Sequence, residues 1–112
     1  AFRHSGRGVP PPVAAVAMID TGATTTVISE DLAGKLGVDP VGTAFMSTPT
    51  SDNVRCYAYR VRLMFPSSVI FEATVIAAPL KEQHIQCLVG RDVLNFGVFI
   101  YTGHTDSFTL SF

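Results

Sequence analysis

From Val13 onward the apolar segments are short, rich in Val, Ile, Phe, Tyr and Thr, and broken repeatedly by Gly, Pro, Asn or Asp. That is the pattern of strands joined by turns, and it leaves little room for helix, so the chain reads as all-β. The first segment, residues 13–19, is apolar throughout and follows Pro10-Pro11-Pro12, a run that cannot donate backbone hydrogen bonds. A strand without polar alternation is expected to be covered on both faces. The carboxylate at its end, Asp20, is then delivered by buried structure, an unusual place for a charge.

The β-branched run 24–28 reads as a second strand. Ser29 after it can cap a short helix through Leu36, stopped by Gly37, with Leu32 and Leu36 on one apolar face. Residues 42–47 and 53–65 read as a long hairpin around the turn-prone Thr48-Pro49-Thr50-Ser51-Asp52. Strands follow at 69–77 and 85–89, then a second short helix at 91–96 stopped by Gly97, then strands at 98–101 and 107–112. A chain of 112 residues suits one domain, residues 1–112, with 1–12 as an N-terminal extension or turn.

Charge narrows the function classes. A formal net charge of −1 gives no electrostatic footprint for a phosphate backbone, so no nucleic-acid partner is expected. Arg55, Arg60 and Arg62 with Tyr57 and Tyr59 read as a solvated strand face. No apolar run approaches the ~20 residues that span a bilayer, so no membrane partner is expected in this segment and it reads as a soluble domain. Cys56 and Cys87 are too few for a disulfide scaffold and read as buried thiols, with one bridge between them left open. His4, His84 and His104 lack metal-ligand spacing, and no Gly-x-Ser-x-Gly elbow is present, so neither a metal, a cofactor nor a serine nucleophile is expected.

Asp20-Thr21-Gly22-Ala23 places an acid, a hydroxyl and a glycine in a tight turn between two apolar strands. Following an apolar strand, it resembles the signature of aspartic proteases, and the Ala points to the retroviral-type, retropepsin-like branch. A second motif, Leu88-Val89-Gly90-Arg91-Asp92-Val93-Leu94, matches the family's apolar strand, glycine and supporting helix. Thr109-Leu110-Ser111-Phe112 looks like its dimerising C-terminal strand. The resemblance implies a closed acid-protease barrel with a flap hairpin at 42–61 and one or two short helices, carrying one half-site per chain.

What the resemblance implies for function is a homodimeric aspartic endopeptidase acting on extended peptide or protein substrates, with no cofactor and no metal. Asp20, Thr21 and Gly22 would be catalytic. Ala23, Thr24, Val27, Met46, Thr48, Ile85 and Leu88 would line the substrate, with Met18, Phe45, Tyr57 and Gln86 as further candidates. Gly90, Arg91 and Asp92 would support the turn. The alternative is a catalytically silent binding or dimerisation module of the same fold. The sequence departs from the family at Thr24, where an acid would pair with Arg91, and Glu30 and Asp31 are candidate replacements for that partner. It departs also at the flap tip, which lacks the family's glycines.

Overall fold

The computed structural model describes residues 12–46, 54–66, 69–80, 84–102 and 107–111. In chain order the elements are β1 (Ala17–Ile19), β2 (Val27–Ser29), α1 (Glu30–Leu36), β3 (Gly42–Met46), β4 (Val54–Phe65), β5 (Val69–Ala78), β6 (Cys87–Val89), α2 (Arg91–Leu94), β7 (Val98–Thr102) and β8 (Ser107–Ser111). The all-β reading holds, with two short helices among the described residues. A six-stranded sheet runs β1-β6-β2-β5-β4-β3, and β7 and β8 pair separately. Among the described residues the larger sheet thus runs from β1 at one end to β3 at the other.

Successive side chains of a strand point to opposite faces, and here each face has its own apolar cluster. Ile28, Val75, Ala77, Cys87 and Val89 lie in one, completed by Leu32 and Ala33 of α1 and by Val93 and Leu94 of α2. Val27, Cys56 and Ala78 lie in the other, with Met46, Val54, Ile76, Leu80 and Leu88 packed on them. Both helices thus cover one face, while the β3–β4 hairpin contributes Met46, Val54 and Cys56 to the cluster on the other. Val75 is fully buried, and burial of such a side chain contributes about 1.5–3 kcal/mol. A register row crosses the whole sheet, Met18 to Leu88, Val27, Ile76, Ala58 and Gly42, so the apolar floor beneath the hairpin extends to the β1 edge.

α1 is bounded as its sequence dictates. The Ser29 hydroxyl accepts from the Leu32 N–H at 3.1 Å, and Gly37 closes the helix in the left-handed region at φ 65°. α2 differs from expectation. It ends at Leu94, with Asn95 right-handed at its C-cap, and residues 95–97 turn onward through bonds from Phe96 to Val93 and from Gly97 to Leu94.

Two further expectations are corrected, and an open one is settled. The first strand is not residues 13–19 but Ala17–Ile19, and residues 12–18 are exposed in the single chain. The cause is position: among the described residues β1 is an edge strand bonded only to β6, and the two clusters extend no farther than Ile19 and Leu88. The second strand begins at Val27 rather than Thr24, because the Thr24 carbonyl and the Thr26 N–H bond to Asp92 instead of a neighbouring strand. Cys56 and Cys87 are free and lie in different clusters with β2 and β5 between their strands, which settles the open bridge.

The hairpin expected at 42–65 is present, with Gly42 opposite Ala58 and Met46 opposite Val54. Its expected tip, Thr48 included, lies outside the described residues. On the outer face of β4, Arg62 pairs with Glu72 at 3.3 Å and Arg60 with the same carboxylate at 3.9 Å. All three are about half exposed, so these pairs contribute little to stability. No described helix is long and apolar enough to cross a membrane.

Candidate active site

β1 delivers Asp20 at the sheet edge. Its N–H donates to the Val89 carbonyl at 2.9 Å, continuing the parallel β1–β6 ladder by one residue. The chain then reverses: Ala23 N–H donates to the Asp20 carbonyl at 3.2 Å, and Gly22 N–H donates to Asp20 Oδ1 at 3.1 Å. An Asp that accepts from the backbone two residues on is a turn former, and here the same bond fixes where its carboxyl points. Oδ2 takes no hydrogen bond among the described residues. Asp20 is half-buried, Thr21, Gly22 and Thr24 are exposed, and Ala23 is half-buried. A Cβ on Gly22 would meet Asp20 Oδ1 at 3.4 Å, so the glycine keeps the ground beside the carboxyl clear.

α2 locks this turn from behind. Gly90 is its N-cap and offers no side chain, so the free N–H groups of the first turn need other acceptors. The Asp20 turn supplies them: Arg91 N–H donates to the Ala23 carbonyl at 2.8 Å and Asp92 N–H to the Thr24 carbonyl at 3.2 Å. In return, the Asp92 carboxylate accepts from Thr26 N–H at 3.0 and 3.1 Å, from the Thr26 hydroxyl at 2.7 Å and from Val93 N–H at 2.9 Å. The Thr26 hydroxyl also accepts from Gly90 N–H at 3.1 Å. The approach is so close that a Cβ on Gly90 would stand 2.7 Å from the Thr25 carbonyl carbon and 3.0 Å from the Ala23 oxygen.

Arg91 completes the brace. Nη1 donates to the Thr21 carbonyl at 2.9 Å and Nη2 to the Thr24 hydroxyl at 3.0 Å. Neither Glu30 nor Asp31 pairs with it among the described residues, which corrects the expectation of a carboxylate partner. The residue that replaces the acid, Thr24, keeps the contact as a neutral acceptor.

The expected substrate-lining residues divide. Val27, Met46 and Leu88 meet in the cluster beneath the hairpin, but Val27 is buried there as a core position, with Met46 and Leu88 half-buried over it. Ile85 is half-buried. Gln86 ties the chain before β1 to β6, accepting from Val16 N–H through Oε1 at 3.0 Å. Met18, Phe45 and Tyr57 are exposed. Thr26 was not among the expected residues, although it is fully buried and joins both motifs. A third consecutive threonine directly after the turn was its sequence signal.

Among the described residues, no group of three or more His, Cys, Asp or Glu is arranged to hold a metal ion. A lone half-buried carboxyl on a rigid turn can accept a proton from a bound water, but needs a second acid to donate one. Residues 12–95, well over half the chain, match the family model described as "gag-polyprotein putative aspartyl protease". No curated protein and no solved structure matches the chain. The match covers both the Asp20 turn and the α2 brace that holds it, and the chain belongs to the gag-polyprotein aspartyl protease family.

Proposed function

We propose that the protein is a homodimeric aspartic endopeptidase in which each chain supplies one Asp20. The observation that carries this reading is the single Asp20-Thr21-Gly22 turn, accessible at the sheet edge and fixed in place by α2. One such turn is half of a two-carboxyl site, and a two-fold axis beside it brings the partner's carboxyl to face the first. Two carboxyls about 3 Å apart cannot both ionise and so share one proton. The ionised member takes a proton from water, the water oxygen adds to the peptide carbonyl carbon, and the protonated member donates to the carbonyl oxygen. The carboxyl that took the proton from water then gives it to the amide nitrogen, the other carboxylate takes a proton back from a hydroxyl of the gem-diol, and the C–N bond breaks to leave an amine and a carboxylic acid.

The Gly22 N–H bond to Oδ1 holds the carboxyl in one orientation through these steps, which is the preorganisation such chemistry needs. Substrate lies extended between the Asp20 turn and the β3–β4 hairpin, over the floor formed by Leu88, Val27 and Met46, with Ala23, Thr24, Thr48 and Ile85 along its path. Backbone pairing with the hairpin accounts for a preference for extended segments.

The test is digestion of an unfolded protein mixture by the purified chain and by Asp20→Asn, with cleavage sites read by mass spectrometry. Cleavage by the wild type and none by the variant is the expected result. Equal cleavage by both, or none by either at concentrations where the chain is dimeric, would leave the fold as a binding module.

A further inference from the structure

Arg91 carries a full positive charge beside the Asp20 turn, and both of its contacts are to neutral oxygens, the Thr21 carbonyl and the Thr24 hydroxyl. No carboxylate lies within ion-pair distance of it among the described residues. Its sequence neighbour Asp92 is occupied otherwise, accepting from Thr26 and Val93. The guanidinium has five N–H donors, of which two are used, so three remain. Arg91 and Thr24 are both exposed. The arginine is therefore held in place, charged, uncompensated and open to solvent, bonded to residues one and four positions after the carboxyl proposed to do the chemistry.

The geometry points to a carboxylate-binding subsite formed by Arg91 and Thr24, which makes acidic peptides the preferred substrates of the proposed site. A guanidinium already pinned at two nitrogens loses little rotamer freedom when it binds, and its planar fork fits a carboxylate through parallel N–H bonds. An acid at position 24 would neutralise Arg91 from within the chain. Threonine there keeps the arginine in position and leaves its charge for the substrate. The carboxylate belongs either to an Asp or Glu side chain or to a free peptide C-terminus. This inference rests on the peptidase reading only for its location, since binding of an acidic peptide does not require cleavage.

The experiment uses the full chain and capped peptides built around one cleaved sequence, with Glu, Gln or Lys placed in turn at each position flanking the bond. A second set compares free and amidated C-termini. kcat/KM is measured on the wild type, and Kd for the same peptides on Asp20→Asn. At one position Glu is expected to raise kcat/KM and to lower Kd by roughly five- to tenfold relative to Gln, as suits a charge-assisted bond at an exposed site, with Lys a poorer substrate and a weaker binder than Gln. Thr24→Asp should erase the difference, Thr24→Ser should keep it, and about 0.5 M salt should shrink it. If the gain appears only with a free C-terminus, the subsite takes the terminal carboxylate.

Glu and Gln peptides within twofold at every position and equal termini, or a preference unchanged in Thr24→Asp, would show Arg91 to be only a brace. Acidic-peptide binding without cleavage would sustain the subsite and remove the peptidase reading. Cleavage without acidic preference would do the reverse, and neither binding nor cleavage would overturn both.

Discussion

Asp92 holds Thr26 by three hydrogen bonds, two from the Thr26 N–H to its carboxylate oxygens at 3.0 and 3.1 Å and one from the hydroxyl at 2.7 Å. Sixty-six residues of chain separate the two, so this contact joins the β2 start to the α2 start and encloses the Asp20 turn between them. Thr26 is completely buried, and its hydroxyl serves both as donor to Asp92 and as acceptor from Gly90 N–H.

Thr26→Val should therefore destabilise the fold although it preserves shape. The substitution leaves the Gly90 N–H without its acceptor and removes one bond to an ionised group, a loss of about 2–4 kcal/mol. Thr26→Ser, which keeps the hydroxyl, should lose clearly less. Urea midpoints at constant m would check the order, and a Val variant as stable as the Ser variant would mean the hydroxyl contributes nothing to holding the turn.

The glycines give a contrast in sign. Gly90→Ala must displace the backbone of Thr25 and Ala23, which lies 2.7 to 3.0 Å from the added Cβ, and should lose at least about 1–3 kcal/mol. Gly34, inside α1, has nothing within 4 Å of such a Cβ, so Gly34→Ala should gain about 0.5–1 kcal/mol. Gly37→Ala opens no clash but meets a φ of 65°, and should lose about 1–2 kcal/mol. Thermal unfolding of the three variants beside the wild type would rank them.

Much of this was legible from local chemistry. Ser29 and Gly37 announced α1 by capping rules that depend on no distant residue, and stretches rich in Val, Ile, Phe and Tyr between turn residues announced β4 and β5. What sequence missed depends on contacts across the fold. The run 24–26 has strand propensity, yet its Thr24 carbonyl and Thr26 N–H are claimed by Asp92 from the far end of the chain. The apolar stretch before Asp20 looked interior because hydropathy does not reveal that β1 is an edge. The partner of Arg91 was sought among acids, whereas a carbonyl and a hydroxyl answer its geometry without balancing its charge.

Cys87 predicts a loss of stability in alkali. Burial pushes its thiol from 9.0 up to about 11, with the Asp92 carboxylate adding to the rise, and burial also raises Cys56. Between the unfolded and folded values the native state keeps a proton that the unfolded chain releases, so stability falls as pH rises. The stabilisation is complete below the ordinary thiol range and is lost on passing about 11, with a slope of at most about 1.4 kcal/mol per pH unit for one thiol. Urea denaturation from pH 8 to 11 should show a shallower decline for Cys87→Ala than for the wild type. Parallel declines would mean that Cys87 ionises equally in both states. The same burial predicts slow alkylation of Cys87 at neutral pH until urea opens the fold.

A proposed site built from two Asp20 residues makes a prediction that no single-chain enzyme shares. Specific activity should fall on dilution below the dimer dissociation constant, and removal of residues 109–112 should shift that fall to higher concentration if β8 contributes to the dimer. Mixing is more discriminating. When wild type and Asp20→Asn exchange subunits freely in equal amounts, about a quarter of the dimers carry two intact carboxyls, because each dimer draws its chains independently. Activity should drop to about that quarter rather than to one half, since a dimer with one Asn lacks either the base or the acid of the proposed mechanism. The measurement is the rate of cleavage of a fluorogenic peptide at constant total protein, after incubation long enough for exchange to be complete. A linear dependence on the wild-type fraction would assign a whole active site to each chain, and the pairing of Asp20 across a two-fold axis would be wrong.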